Sequence, residues 1–527
     1  MHVASRKFYS LAISLLGALS LAPVASSQMV RSQATPPQAE PTAVEIHVNA
    51  KDAGTPFPHF WEQMFGSGRA ILSLRESYRQ DVHAVKQATD FRYVRFHAIF
   101  HDEVGLFNRD AAGKPFYNFS YVDQIYDGLL QQGVRPFVEL SFMPQKMASD
   151  PAALHAFWYK QNVSPPRSYA EWDAMIQAFV QHLVDRYGIE EVAQWDFEVW
   201  NEPNIDFWVG NPKQATYFEL YDHTARAVKA VNQRLRVGGP STAQAAWVPA
   251  FIAHCKQHNV PLDFISTHVY ANDTAKDVFK TDENIPRDTM VCRSVRKVHD
   301  EIAASQDPAL PLIFSEYNAS YAHEPDVTDT VYMGPWLATT ISQCDGLTQW
   351  MSYWSFSDVF EEQGVIKTPF YGGFGLMAED NIPKPALNAF AALHRLGDVR
   401  LPVASDSALA TRRSDGTLAI ALWNYAPPAG TGPHYTPAPA QQPVKTFSLD
   451  VSSIRGSAHA TVWRVDSDHG NVLKAYDAMG RPATPTREQI AQLQAAGRMA
   501  APETLTVHHG KLQLTVPRYG LAVVEIR

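Results

Sequence analysis

The sequence has little cysteine, a low share of charge and no basic run. Three cysteines, Cys255, Cys292 and Cys344, stand in 527 residues. Their odd number and wide spacing exclude a disulfide framework and match no zinc-ligand pattern, so at most one bridge can form and buried free thiols are expected. Charged residues make up 19% of the chain and the formal net charge is -9. Without a long run of lysine or arginine, nucleic acid is not an expected partner. The 20 histidines show no His-Glu-x-x-His or similar spacing, so neither a metal nor an organic cofactor is expected. Beyond the N-terminus no apolar run is long enough to span a membrane, and no internal repeat is visible.

What is present supports large cores: 45% of residues are apolar and 11% aromatic. Arg6 and Lys7, the apolar stretch Phe8 to Pro23 and the small residues Val24-Ala25-Ser26-Ser27 read as a secretory signal over residues 1–27. This predicts a secreted or periplasmic bacterial protein with no membrane attachment after signal removal. Residues 28–43, rich in Gln, Pro, Ser, Thr and Ala, read as a flexible lead-in.

From residue 59 to 397 strand-like runs alternate with helical ones. Strands are expected near Phe60–Phe65 and at Tyr93–Phe96, Pro136–Leu140, Trp195–Trp200, Arg236–Gly238, Phe264–Val269, Leu312–Phe314 and Thr348–Tyr353. Between them lie helical patterns such as Tyr121–Gln132, with Ser120 as its N-cap, Tyr169–Tyr187, Thr216–Leu235 and Asp288–Ser305. Eight strands separated by helices predict the α/β class and a (β/α)8 TIM barrel, a doubly wound sheet being the structural alternative. Residues 398–527 change to short strands, among them Leu418–Trp423, Ala460–Val465 and Leu512–Val516, and predict an accessory antiparallel β-sandwich. A strand within residues 44–58, Val44 to Val48, is expected to join it. Pro427–Gln442 reads as a loop.

Two expected strands end on glutamate. Trp195 to Trp200 runs into Asn201-Glu202-Pro203, where Pro203 stops the ladder, and Leu312 to Ser315 runs into Glu316. Catalytic groups of such barrels sit at these strand ends. Two carboxyl groups about 5–5.5 Å apart hydrolyse a glycosidic bond with retention, one protonated as acid and one ionised as nucleophile.

The chain resembles glycoside hydrolase family 39 across residues 44–527. The resemblance is carried by Phe65-Gly66-Ser67-Gly68-Arg69-Ala70, Val94-Arg95-Phe96-His97, Phe197 to Asn204, Ser266-Thr267-His268-Val269-Tyr270, Ser315-Glu316-Tyr317-Asn318 and Trp354 to Glu362. It implies Glu202 as acid/base and Glu316 as nucleophile of a retaining exo-glycosidase, with an oligosaccharide or glycoside as its partner. It also implies that Asn201 binds the sugar 2-hydroxyl, that His268 and Tyr270 flank the nucleophile, and that at least one of Glu361 and Glu362 binds sugar hydroxyls. Trp354 and Trp200 are candidates for the apolar wall. Arg95, His97 and His59 are further candidate substrate contacts, Arg95 alternatively orienting the catalytic carboxylate.

Asn204 with Ile205-Asp206-Phe207-Trp208 resembles the xylosidase version of the family, and no basic group can be assigned to a uronate carboxylate. The resemblance therefore implies a β-xylosidase releasing xylose from xylo-oligosaccharides by double displacement. Ser315 and Tyr317 stand where xylosidases carry Thr and Phe, which keeps an α-L-iduronidase-like enzyme, an arabinosidase and a β-glucosidase open. A non-catalytic carbohydrate-binding protein is the reading from a different class. Oligomeric state is not legible.

Overall fold

The computed structural model describes residues 42–428 and 444–527. The expected signal at 1–27, the lead-in up to residue 41 and most of the loop Pro427–Gln442 lie outside the described residues. Among the described residues no helix is long and apolar enough to cross a membrane.

Eight parallel strands close a barrel: β1 Met64–Arg69, β2 Tyr93–His97, β3 Arg135–Leu140, β4 Asp196–Val199, β5 Arg236–Thr242, β6 Phe264–Tyr270, β7 Leu312–Asn318 and β8 Trp350–Tyr353. Helices return between them and cover the outside, so every residue of β6 and β7 is buried on one side by the barrel interior and on the other by helices. The first strand begins four residues later than expected. Phe60 and Trp61 pack beneath the barrel, while the strand itself reads Met-Phe-Gly-Ser-Gly-Arg and lacks the β-branched signature. The helix Ser120–Gln131 buries Val122, Ile125, Tyr126 and Leu129, the face its spacing predicts. Ser120 is not its cap; the Asn118 side chain accepts from Ser120 N–H at 3.0 Å instead.

Two short hairpins, Phe107–Arg109 with Pro115–Tyr117 and Met377–Ala378 with Ile382–Pro383, stand apart, and ten further strands form one sheet. It is antiparallel except at one edge, where Thr42–Val48 runs parallel to Lys445–Val451 in continuous register. Glu503–His508 and Lys511–Val516 pair only at His508–Lys511, beside their turn. There the sheet folds over, and Ile46, Phe447 and Leu514 share one core with Ile420, Val462 and Val524. Leu418–Trp423 and Leu521–Ile526 are buried on both faces. Leu418, Ile420, Leu422, Val524 and Ile526 face the sandwich core, while Ala419, Ala421, Trp423, Leu521 and Val523 face the core that includes the barrel helices. The sheet is thereby fused to the barrel by alternate residues of its own central strands.

The expectation of buried free thiols is corrected at two of three positions. Cys292, on the helix Arg287–Ala303, and Cys344, ending the helix Met333–Cys344, form a disulfide with Cα atoms 5.2 Å apart. The two helices pack side by side, a proximity that linear spacing does not reveal. Cys255 is a buried free thiol, and burial pushes its pKa up.

Candidate active site

The C-terminal ends of the barrel strands surround a cavity of about 420 Å³. Its floor is buried: His97, Asn201, Glu316 and Trp354 are each less than 5% exposed. Its rim is solvated, with Asp206, Gln244, Tyr321 and Gln363 partly or fully exposed. Glu202 lies between the two, 9% exposed.

Local backbone conformation aims the groups at this cavity. Trp200 and Glu202 both take positive φ, 71° and 44°, a costly conformation for non-glycine residues that clusters at functional sites. It is held by Glu202 N–H donating to Ser241 O at 2.7 Å. The Asn204 amide bridges to both backbone groups of Ala243, at 2.9 and 3.0 Å. Asn204 therefore clamps the β4 loop to the chain after β5 and is not a sugar ligand. Glu316 stands on the inward face of β7, and its neighbour Tyr317 points outward against Trp336 and Tyr353, away from the cavity.

Arg95 is fully buried on β2 and organises the floor. Its guanidinium donates to Glu198 Oε2 at 2.6 Å, Glu316 Oε1 at 2.7 Å and Asn201 Oδ1 at 3.0 Å, and pairs with Glu139 Oε2 at 2.8 Å. Tyr270 donates its hydroxyl to the other Glu316 oxygen at 2.5 Å. One oxygen of Glu202, one of Glu316 and a ring nitrogen of His268 lie within 4.8 Å of one another, a separation suited to retention.

Burial pushes both carboxyls up, Glu202 further because the charge of Glu316 adds to it. Only Glu316 has a guanidinium on its oxygen and a phenol on the other, which oppose that rise. Donor accounting gives the same answer. Ser315 donates to Glu198 Oε1 at 2.5 Å, so it accepts from His268 Nε2–H at 3.1 Å. His268, held neutral by burial and by the nearby Arg95 charge, then has a lone pair on Nδ1. The group 3.0 Å from that lone pair is Glu202 Oε1, which must carry the proton to bond with it. Both lines place the proton preferentially on Glu202 and the negative charge preferentially on Glu316.

Of the residues singled out in the sequence, Glu202, Glu316, Asn201, Tyr270, His97, Trp354 and Glu362 line the cavity. Four expected substrate contacts do not. His59 precedes β1, at the other end of the barrel, and hydrogen-bonds Glu62. Arg95 and His268 lie under the floor, their polar atoms occupied by carboxylates, Asn201 and Ser315; Arg95 takes the alternative place, on the catalytic carboxylate, and His268 stands beside the nucleophile at 3.6 Å. Glu361 is pinned by Arg69 at 3.1 Å and Arg75 at 2.7 Å. Trp200, expected on the wall, is buried with Nε1 bonded to Phe207 O. Sequence reasoning missed Glu139, which holds Arg95 and His97, and the lining residues His155, Phe207, Asp273 and Phe374. Glu139 had a readable signal, being the one charged residue within the expected strand Pro136–Leu140. The others stand in loops without periodicity.

Two groups among the described residues present three donors close enough for a metal ion: Glu202–His268–Glu316, and His59–Glu62–His394 at the far end. In the first, the same atoms serve the proton chain and the Arg95 pair. Gly66 explains part of the wall, since a methyl group there would overlap the Trp354 ring.

The pattern of glycosyl hydrolases family 39 matches residues 44–511. A beta-xylosidase of Geobacillus stearothermophilus is 37% identical over 471 residues, 87% of this chain and 90% of the relative. A beta-xylosidase of Caldicellulosiruptor saccharolyticus is 34% identical over 452 residues, 84% of this chain and 88% of the relative. Among solved structures, a monomeric beta-xylosidase from Caulobacter crescentus CB15 superposes with a TM-score of 0.82 at 36% identity, covering 92% of this chain and 99% of that one.

Proposed function

For this chain, which belongs to glycosyl hydrolases family 39 and is a glycosidase, we propose a retaining exo-β-xylosidase with Glu202 as acid/base and Glu316 as nucleophile. The carrying observation is the asymmetric carboxyl pair, with oxygens within 4.8 Å: Arg95 and Tyr270 both donate to Glu316, while Glu202 faces His268 Nδ1. Glu316 attacks the anomeric carbon while Glu202 passes its proton to the leaving oxygen, giving a covalent glycosyl-enzyme. Glu202, now ionised, takes a proton from water as the water displaces Glu316. Arg95 holds the Asn201 oxygen and turns the NH2 group of the amide toward the sugar 2-hydroxyl.

The blind, buried floor supports removal of one terminal residue at a time. Xylose is favoured by the names of the two relatives above and by the lining. Among the described residues no lysine or arginine lines the cavity, and a uronate would need one. Secretion or periplasmic export belongs to the same proposal, resting on the composition of residues 1–27.

The test is a panel of aryl glycosides followed by NMR of the first-formed sugar. The β-xyloside should be the best substrate and β-xylose should appear before mutarotation. Glu202→Gln should slow hydrolysis of xylobiose by about 10²–10⁴-fold and Glu316→Gln should abolish turnover. Glu202→Ala with azide should yield β-xylosyl azide. First-formed α-xylose, or full activity in either Gln variant, refutes the assignment.

A further inference from the structure

On the rim beside Glu202 stands a polar group that the catalytic scheme leaves unused. His155 is 5% exposed, in the loop after β3. Phe157 N–H donates to its Nδ1 at 3.2 Å, so the proton of the neutral ring is on Nε2. That Nε2 is buried, makes no hydrogen bond, and belongs to a residue lining the cavity. Asp206 Oδ2 stands 3.3 Å away without hydrogen-bond alignment, on a side chain that is 72% exposed. The ring is fixed by stacking on Phe207, centroids 4.1 Å apart at 15°, and by an edge contact with Phe157 at 4.4 Å. A buried donor held rigid, whose only nearby acceptor is a poorly aligned carboxylate on an exposed side chain, is incompletely satisfied until a ligand completes it.

We propose that His155 and Asp206, beside the half-buried ring of Phe157, form the subsite for the leaving-group sugar, His155 Nε2–H donating to one ring hydroxyl and Asp206 accepting from its neighbour. This rests on the glycosidase reading of the same cavity. Glu202 protonates the bond between the two sugars, and Ile205, Asp206 and Phe207, on the loop that Glu202 opens, line the same cavity. The apolar face of a pyranose suits the Phe157 ring, and its equatorial hydroxyls suit the His–Asp pair. The same subsite receives water, or an acceptor alcohol, when the glycosyl-enzyme is resolved.

The experiment compares kcat/KM for xylobiose with kcat/KM for 4-nitrophenyl β-xyloside, whose leaving group has no ring hydroxyl for the pair to hold. In His155→Phe, which keeps the stacking ring, the xylobiose-to-aryl ratio should fall about tenfold, the worth of a hydrogen bond to a rigid donor. His155→Gln, which restores an N–H, should recover part of it. Asp206→Ala, on the exposed rim where folding is not at risk, should lower the ratio several-fold. A ratio within about twofold of the parent in both His155→Phe and Asp206→Ala overturns the subsite, even if both rates fall together. A parent that cleaves neither substrate overturns the glycosidic reading itself, a different outcome from an unchanged ratio.

Discussion

Arg95 balances three buried carboxylates, Glu139, Glu198 and Glu316, with one guanidinium. Removing it leaves those charges facing each other with only the His97 ring beside two of them, a loss of about 3–5 kcal/mol for a buried pair broken on one side. Arg95→Met should lower the urea midpoint accordingly. The same variant should alter the pH profile in a defined sense. Glu316 works ionised, and loss of the guanidinium raises its pKa, so the acid limb of kcat/KM should move to higher pH. A destabilised protein with an unmoved acid limb would mean that Arg95 supports the fold without tuning the nucleophile. Glu202, Glu316 and Tyr270 were legible because strand endings and motif order mark them. The position of His268 under the floor was not, since a buried histidine under a cavity and one facing it are spelled alike; for Arg95 the sequence left sugar contact and orientation of the carboxylate both open. Glu361 and Glu362 make the same point: adjacent in sequence, one is tied to two arginines and the other lines the cavity.

At the level of elements, the ends of β4, β5 and β8 carry positive-φ residues, Trp200, Glu202, Ser241, Gln244 and Glu361. No propensity scale anticipates these turns, because tertiary hydrogen bonds impose them. β1 shows the converse: its glycines are poor strand formers kept for the space they leave. Gly66→Ala should displace Trp354 from the cavity floor. Inhibition by free xylose should weaken by about tenfold, corresponding to roughly 1.4 kcal/mol of lost apolar contact. Unchanged inhibition would remove Trp354 from the sugar-binding wall. Helices were the clearest part of the sequence, as in Ser120–Gln131, because one face meets the core and the other meets water. Leu521–Ile526 and Ala408–Arg412 went unseen for the opposite reason. With both faces buried they lack the alternation that marks a half-exposed strand, and Glu525 or Arg412 breaks the continuous apolar run that made the equally buried Leu418–Trp423 readable.

Over the whole molecule, the barrel was legible from the count of alternating elements and the sandwich from the change in pattern near residue 398. The fusion between them was not, because it depends on which side of a strand meets a helix. The Cys292–Cys344 bridge was equally hidden and closes a 52-residue separation. Chain-entropy reasoning assigns such a loop about 4 kcal/mol. Cys292→Ala/Cys344→Ala should therefore unfold at clearly lower denaturant concentration than the parent, and reductant should lower the parent's midpoint while leaving the double variant unchanged. Equal midpoints would mean that helix packing alone holds this face. The parallel pair Thr42–Val48 and Lys445–Val451 carries a consequence in time. Its two strands are roughly 400 residues apart in the chain. At roughly 5–20 residues per second, the first strand emerges from the ribosome about 20–80 s before its partner exists. Throughout that interval its backbone edge is an open template, and the sheet closes only when synthesis of the whole barrel is done.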